Sequence, residues 1–167
     1  MNFRRLQGLA LILSAACALL LGLSDPRTVL FDVIATSGVI LFILGIPAIY
    51  LAQPTGWLGL AGIVLLELAA FIALGFRFEV LPSSLENSLA LTSAVLGSLG
   101  GIIIGWLTTR EHVFPAWVGW VFIAGSLLNL IVPLFDVGSL ANVFRFILPL
   151  LQAIALLAYG YFIYQKW

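Results

Sequence analysis

Residues Trp57–Phe76 read WLGLAGIVLLELAAFIALGF, twenty positions with Glu67 as the one charged side chain among them. In helical form, about 20 mostly apolar residues cross the ~30 Å hydrocarbon core of a bilayer, and this stretch meets that length. Five further stretches flank it: Leu6–Leu23, Val29–Leu51, Leu89–Leu107, Phe114–Phe135 and Phe144–Tyr164. The expected fold is all-α, a polytopic integral membrane bundle of six transmembrane helices in up-and-down order. Residues 1–167 then form a single transmembrane domain.

Composition points the same way. Hydrophobic residues make up 63% of the chain and charged residues 8%, with a mean hydropathy of +1.21. Soluble domains run near half apolar and about a quarter charged, and a water-soluble fold of this length could not cover its surface with so few charges. The lipid bilayer is the implied partner. Zero formal net charge and the absence of basic runs argue against nucleic acid, whose binding rests on Lys and Arg contacts to phosphate. With one cysteine, Cys17, no internal disulfide is possible.

Met1–Arg5 followed by a leucine-rich run resembles a secretion signal. The apolar run Leu6–Leu23 is longer than a signal core of about 7–15 residues. Ser14-Ala15-Ala16-Cys17 resembles a lipoprotein cleavage box only loosely, without the leucine usual three positions before the cysteine. The segment reads as the first membrane span.

The breaks between spans carry turn and cap chemistry. Ser24-Asp25-Pro26 offers an N-cap with proline at the first helical position, and Gln53-Pro54-Thr55-Gly56 reads as a tight turn. Ser83 and Glu86 have the spacing of a capping box. The remaining breaks are a 108–113 loop containing Arg110-Glu111-His112, and Asp136-Val137-Gly138-Ser139.

The aromatic residues test the span count. Six crossings put the N-terminus, the 53–56 turn, the 108–113 loop and the C-terminus on one side. Trp57, Trp106, Trp117, Trp120 and Trp167 then all fall near that side, as do Tyr50, Tyr159, Tyr161 and Tyr164. Phe31, Phe76, Phe78, Phe135 and Phe144 mark the other rim. Trp and Tyr favour the headgroup level, where one end of the ring is wet. Arg4, Arg5, Arg110 and Lys166 lie on the Trp-rich side, against Arg27, Arg77 and Arg145 opposite. That balance, and the arginine pair ahead of the first span, place both termini in the cytoplasm and the chain in the cell membrane as a multi-pass protein.

Leu6-Gln7-Gly8-Leu9-Ala10, Trp57-Leu58-Gly59-Leu60-Ala61 and Trp117-Val118-Gly119-Trp120-Val121 open the odd-numbered spans. Gly45 with Tyr50 and Gly101 with Trp106 share a spacing near the ends of even-numbered ones. The echo fits three related helical hairpins, and shared interface chemistry would produce it equally.

Gly45-Ile46-Pro47-Ala48-Ile49-Tyr50 followed by Gly56-Trp57-Leu58-Gly59, with the later run Pro115-Ala116-Trp117-Val118-Gly119-Trp120 closed by Gly125, resembles small multi-span bacterial membrane proteins of unknown function. The likeness covers the middle two-thirds of the chain. It implies a compact helical bundle and no activity.

Glu67 stands near mid-span, where a charged carboxylate costs several kcal/mol. It reads either as a proton- or cation-coupled site, or as a protonated acid bonded to a neighbouring helix, or as a contact with a partner subunit or lipid. Asn129 and Gln152 sit at similar depth in the fifth and sixth spans as candidate partners. Asp32, under two turns into the second helix, reads as solvated or paired with Arg27, near the positive helix end. Ser93, Gly97, Gly101 and Gly105 recur every four residues and line one helix face, the small-xxx-small mode of close packing; Ser14, Ala18 and Gly22 repeat it in the first span. Pro47, Pro133 and Pro149 should kink their spans.

Several chemistries lack their residues. His112 is the only histidine and lies in a loop, which rules out bis-histidine haem within the chain. Cys17 has no second thiol for a redox pair. No span carries the His-Glu helix of a membrane metalloprotease, nor a serine and histidine placed for proteolysis. No catalytic residue, metal site or cofactor is expected. The expected function is a non-enzymatic subunit, stabiliser or assembly component of a membrane complex. The alternative is a small proton- or cation-coupled carrier or channel using Glu67, and a lipid enzyme at Arg110-Glu111-His112 is the remotest reading.

Overall fold

The computed structural model describes residues 2–24, 27–53, 56–78, 80–132 and 141–166, and every regular element among them is helical. The elements are α1 (Phe3–Leu23), α2 (Val29–Gly45), α3 (Pro47–Ala52), α4 (Gly56–Arg77), a 3₁₀ turn (Ser83–Leu85), α5 (Glu86–Glu111), α6 (Ala116–Ile131) and α7 (Ala141–Lys166). Pro47 lacks the N–H that would continue the ladder, so the second apolar stretch breaks at Ile46 into α2 and α3. Pro149, by contrast, sits inside an unbroken α7. By length and composition, α1, the α2–α3 pair, α4, α5 and α7 are long and apolar enough to cross a membrane. The described part of α6 has 16 residues, about 24 Å at 1.5 Å per residue. It is shorter than the expected Phe114–Phe135, whose last residues fall outside those described.

Helix ends differ from expectation in two places. Thr28, not Ser24, caps α2, its Oγ1 accepting from the Phe31 amide at 3.3 Å; Ser24 instead closes α1, donating to the Leu20 carbonyl at 2.7 Å. Asp25 and Pro26 lie outside the described residues. α5 runs on through Glu111, so the expected 108–113 loop shrinks to 112–115, and Thr108 belongs to the helix. His112 takes a left-handed φ of 53° and ends α5. Gly56 has a φ of +66°, a conformation open to glycine at little cost, and turns the chain into α4. The Ser83–Glu86 side-chain pair, Pro54, Thr55, Pro133 and residues 136–139 lie outside what is described.

Short connections make sequence neighbours antiparallel, and the six long units close into a ring. α1 packs on α2 and on α7, α7 on α6, α6 on α5 and α5 on α4; the α4–α2 seam is the most thinly packed. Glycines set the closest crossings. A Cβ built on Gly8 would meet the Gly160 carbonyl oxygen at 2.9 Å, and one on Gly105 would meet that of Gly119 at 2.8 Å. Backbones this close gain dispersion and exclude any side chain.

The fully buried core gathers toward the end where α1 begins: Leu11, Ile46, Ile49, Ile104, Val118, Tyr159 and Ile163. Trp57, Trp106, Trp117 and Trp120 are exposed around that same end. The outer faces carry exposed Leu23, Val29, Leu44, Leu60, Phe71 and Leu157, a continuous apolar exterior that water would penalise.

Candidate functional site

In the half of the ring away from the tryptophans, the helices part around a cavity of about 570 Å³. All six long units contribute walls. Small residues make the space: Ala18 on α1, Ala35 and Gly38 on α2, Ala70 and Ala73 on α4, Ala94 and Gly97 on α5. Aromatic and aliphatic side chains narrow it from Phe42, Phe122 and Leu156. The volume falls within the range of small-molecule sites, which are mostly apolar with a few placed polar groups.

The polar groups fall into two kinds. Ser14 Oγ donates to the Gly38 carbonyl at 2.9 Å, and Ser93 Oγ to the Ala69 carbonyl at 3.0 Å. These hydroxyls tie α1 to α2 and α5 to α4 and keep only acceptor capacity for a ligand. Asn129 Nδ2 reaches Ser98 Oγ at 3.4 Å, and Ser98 is fully buried. Ser126 and Gln152 make no hydrogen bond among the described residues, although both line the cavity. Their hydroxyl and amide are therefore unsatisfied unless a ligand or water meets them.

The floor is closed. Phe122 packs edge-on against Tyr159 with centroids 5.7 Å apart, and Phe114 does so from below at 5.0 Å. The Tyr159 hydroxyl lies 2.7 Å from Thr108 Oγ1, which also accepts from Gln53 Nε2 at 3.0 Å. Tyr159 belongs to the tryptophan end, yet it is buried at 0% exposure and takes no part in a wet rim. Its hydroxyl is satisfied by α5 instead of water, as a buried tyrosine requires.

At the opposite end the wall reaches Arg77, the only charged side chain in it among the described residues. Arg77 Nη1 bonds Asp32 Oδ1 at 3.0 Å, and its guanidinium lies 5.8 Å from the Phe31 ring centroid. Asp32 thus pairs with Arg77 on α4. The pair bridges the thin α2–α4 seam at its outer end.

The structure brings Asn129 and Gln152 to one cavity and leaves Glu67 out of its wall. On α4, Leu66, Ala70 and Ala73 face the cavity and Gly62, Leu66 and Ala69 meet α5. Glu67 lies on the flank turned away from α5, at the edge of the outward stripe Leu60, Val64 and Phe71. It is half-buried and makes no hydrogen bond or ion pair among the described residues. The small-residue stripe of α5 divides between two internal neighbours. Ser93 and Gly97 meet Ala69 of α4, while Gly101 meets Ser126 and Gly105 meets Gly119 and Ile123 of α6.

Arg77, Ser126, Thr108 and Gln53 have places in or beneath the cavity that sequence pattern alone did not assign them. Arg77 carried a signal, the single cation of α4 at the helix end, but its partner stands 45 positions away. No group of three or more His, Cys, Asp or Glu that could hold a metal occurs among the described residues. No protein-family model, curated protein or solved structure matches the chain.

Proposed function

We propose that the chain is an integral membrane protein that crosses the bilayer six times and binds a small, largely apolar ligand inside its helical ring, as a carrier or a ligand-binding component does. The observation that carries this reading is the cavity itself. Six helices share its walls, Phe122 backed by Tyr159 stands at one end, and Ser126 and Gln152 are unbonded in a lining that is mostly apolar. A bundle built only for tight packing would fill such a space, since void-lining atoms forfeit contacts. The apolar exterior and the ring of exposed tryptophans support a bilayer as the solvent. With both termini cytoplasmic, the cavity faces the non-cytoplasmic side, and the tryptophan end is the cytoplasmic seal.

A photoreactive, diazirine-bearing fatty alcohol added to membranes containing the protein tests this. Cross-links mapped by peptide mass spectrometry should fall on Ala70, Ala73 and Ala94 as well as on the outer stripe. Ala94→Trp should abolish the internal cross-links and leave the outer ones. Labels confined to Leu60, Val64 and Phe71 in the wild-type chain would overturn the reading.

Glu67 favours a second reading in its own right. A carboxyl on the outer flank of α4 without a partner in this chain suits a hydrogen bond to a helix of another membrane protein. The chain would then be a subunit or assembly component that docks through α4. In that case Glu67→Leu strips a stoichiometric partner from the gently extracted protein in native mass spectrometry, and an unchanged complex mass sinks it.

A further inference from the structure

Apolar side chains make up most of the cavity wall, with Ser126, Asn129 and Gln152 as a polar spot within it, and its outer end is marked by a guanidinium. Arg77 is a wall residue, and its present partner, Asp32, is 68% exposed and stands outside the wall. An exposed ion pair of this kind contributes little to stability, about 0–1 kcal/mol. Arg77 is therefore held weakly, with a planar fork of N–H donors suited to a carboxylate, phosphate or sulfonate. Phe31 steadies the guanidinium from α2. From this end inward, the lining runs from Arg77 through Ala73 and Ala70 to the aromatic floor at Phe122. A ligand that satisfies both parts has one charged group and one hydrocarbon tail.

Resting on the cavity reading above, we infer that the occupant is a single-chain anionic amphiphile drawn from the bilayer, its tail in the cavity and its head on Arg77 in place of Asp32. Asp32 is then an internal competitor, and exchange of its carboxylate for the ligand's opens the outer end of the α2–α4 seam. That seam is the thinnest packing in the ring. A lateral path there lets an acyl chain pass without leaving apolar surroundings, which each methylene favours by about 0.8 kcal/mol.

The test compares two diazirine probes of equal chain length, a fatty alcohol and a permanently ionised alkyl sulfonate, in membranes containing the full chain. The readout is the ratio of sulfonate to alcohol cross-links at Ala70 and Ala73. Arg77→Gln should lower that ratio about tenfold, the size of one lost charge-assisted hydrogen bond. Asp32→Asn should raise it about threefold, since the competitor is an exposed carboxylate. Glu67→Gln, outside the cavity, should leave it unchanged, and excess inorganic phosphate should not displace the sulfonate. A ratio unmoved by Arg77→Gln, a ratio lowered by Asp32→Asn, or displacement by inorganic phosphate overturns the assignment while leaving the cavity reading intact. Absence of cavity labelling by both probes overturns the two together.

Discussion

The hydroxyl oxygens of Thr108 and Tyr159 lie 2.7 Å apart, joining α5 to α7 beneath the cavity floor. Gln53 donates to the same threonine from the end of α3, so three parts of the ring meet in one buried polar cluster. Apolar packing is indifferent to small rotations of neighbouring helices, whereas a hydrogen-bond cluster out of reach of water fixes them. The aromatic floor therefore stands on a rigid base.

The threonine is the hub, and its loss should cost most. Tyr159→Phe removes one bond and leaves Gln53–Thr108 intact, a loss of about 0.6–1.5 kcal/mol. Thr108→Val strands both the tyrosine hydroxyl and the glutamine amide and should cost about twice as much or more. Thermal unfolding in mild detergent should rank wild type above Tyr159→Phe above Thr108→Val; equal losses would show that the Gln53–Thr108 bond contributes nothing.

Glycines of the α5 stripe should differ in what they tolerate. At Gly97 a Cβ meets only the Ala69 methyl at 3.4 Å, so Gly97→Ala should be near neutral. At Gly101 it meets the Ser126 hydroxyl, which can rotate away. At Gly105 it meets the Gly119 backbone oxygen at 2.8 Å, and Gly105→Ala should destabilise by about 1–3 kcal/mol through overpacking. Gly160→Ala, facing the Gly8 oxygen at 2.6 Å, should behave like Gly105→Ala. Melting temperatures of the four variants check the order, and a Gly97→Ala protein as damaged as Gly105→Ala would contradict it.

Filling the cavity should stabilise the empty bundle. Ala73→Val adds two methyl groups toward open space, and each buried carbon is worth about 0.8 kcal/mol. The variant should melt higher in detergent and take up the fatty-alcohol probe less. A lower melting temperature would mean that the walls already touch in the membrane.

Much of this architecture was legible in the chain, for physical reasons that also mark where legibility stops. Long, almost wholly apolar runs suit helices, which satisfy their own backbone groups, so hydropathy located the long helical units, and Pro47 located the break at Ile46. Ring order is a matter of contacts between distant residues, and nothing in local pattern reveals that α1 packs on α7. The same limit hid the Asp32–Arg77 pair. Tyr159 was placed with the wet aromatic rim on residue type, but a tyrosine can satisfy its hydroxyl inside the core, and Thr108 does so here. Thr108 and Gln53 read as loop punctuation because polar residues between apolar runs usually face water. Asn129 and Gln152 stand out by depth alone and line one cavity, while Glu67, at similar depth, lies outside its wall. Depth can be read from a sequence; the facing of a helix within a ring whose order is hidden cannot.

The most direct test of the central claim is thiol accessibility on a Cys17→Ser background, in sealed vesicles of known orientation made only of two-chain zwitterionic lipid, which leaves the cavity to water. Single cysteines at Ala73, Ala94 and Ser126 probe the cavity, and cysteines at Ile104 and Val118 probe the core behind its floor. A small membrane-impermeant thiol reagent should modify the first three from the non-cytoplasmic face only and the last two from neither face. Cavity positions that resist the reagent from both faces, or that react from the tryptophan side, would contradict a ring of six helices enclosing a cavity with a closed cytoplasmic end.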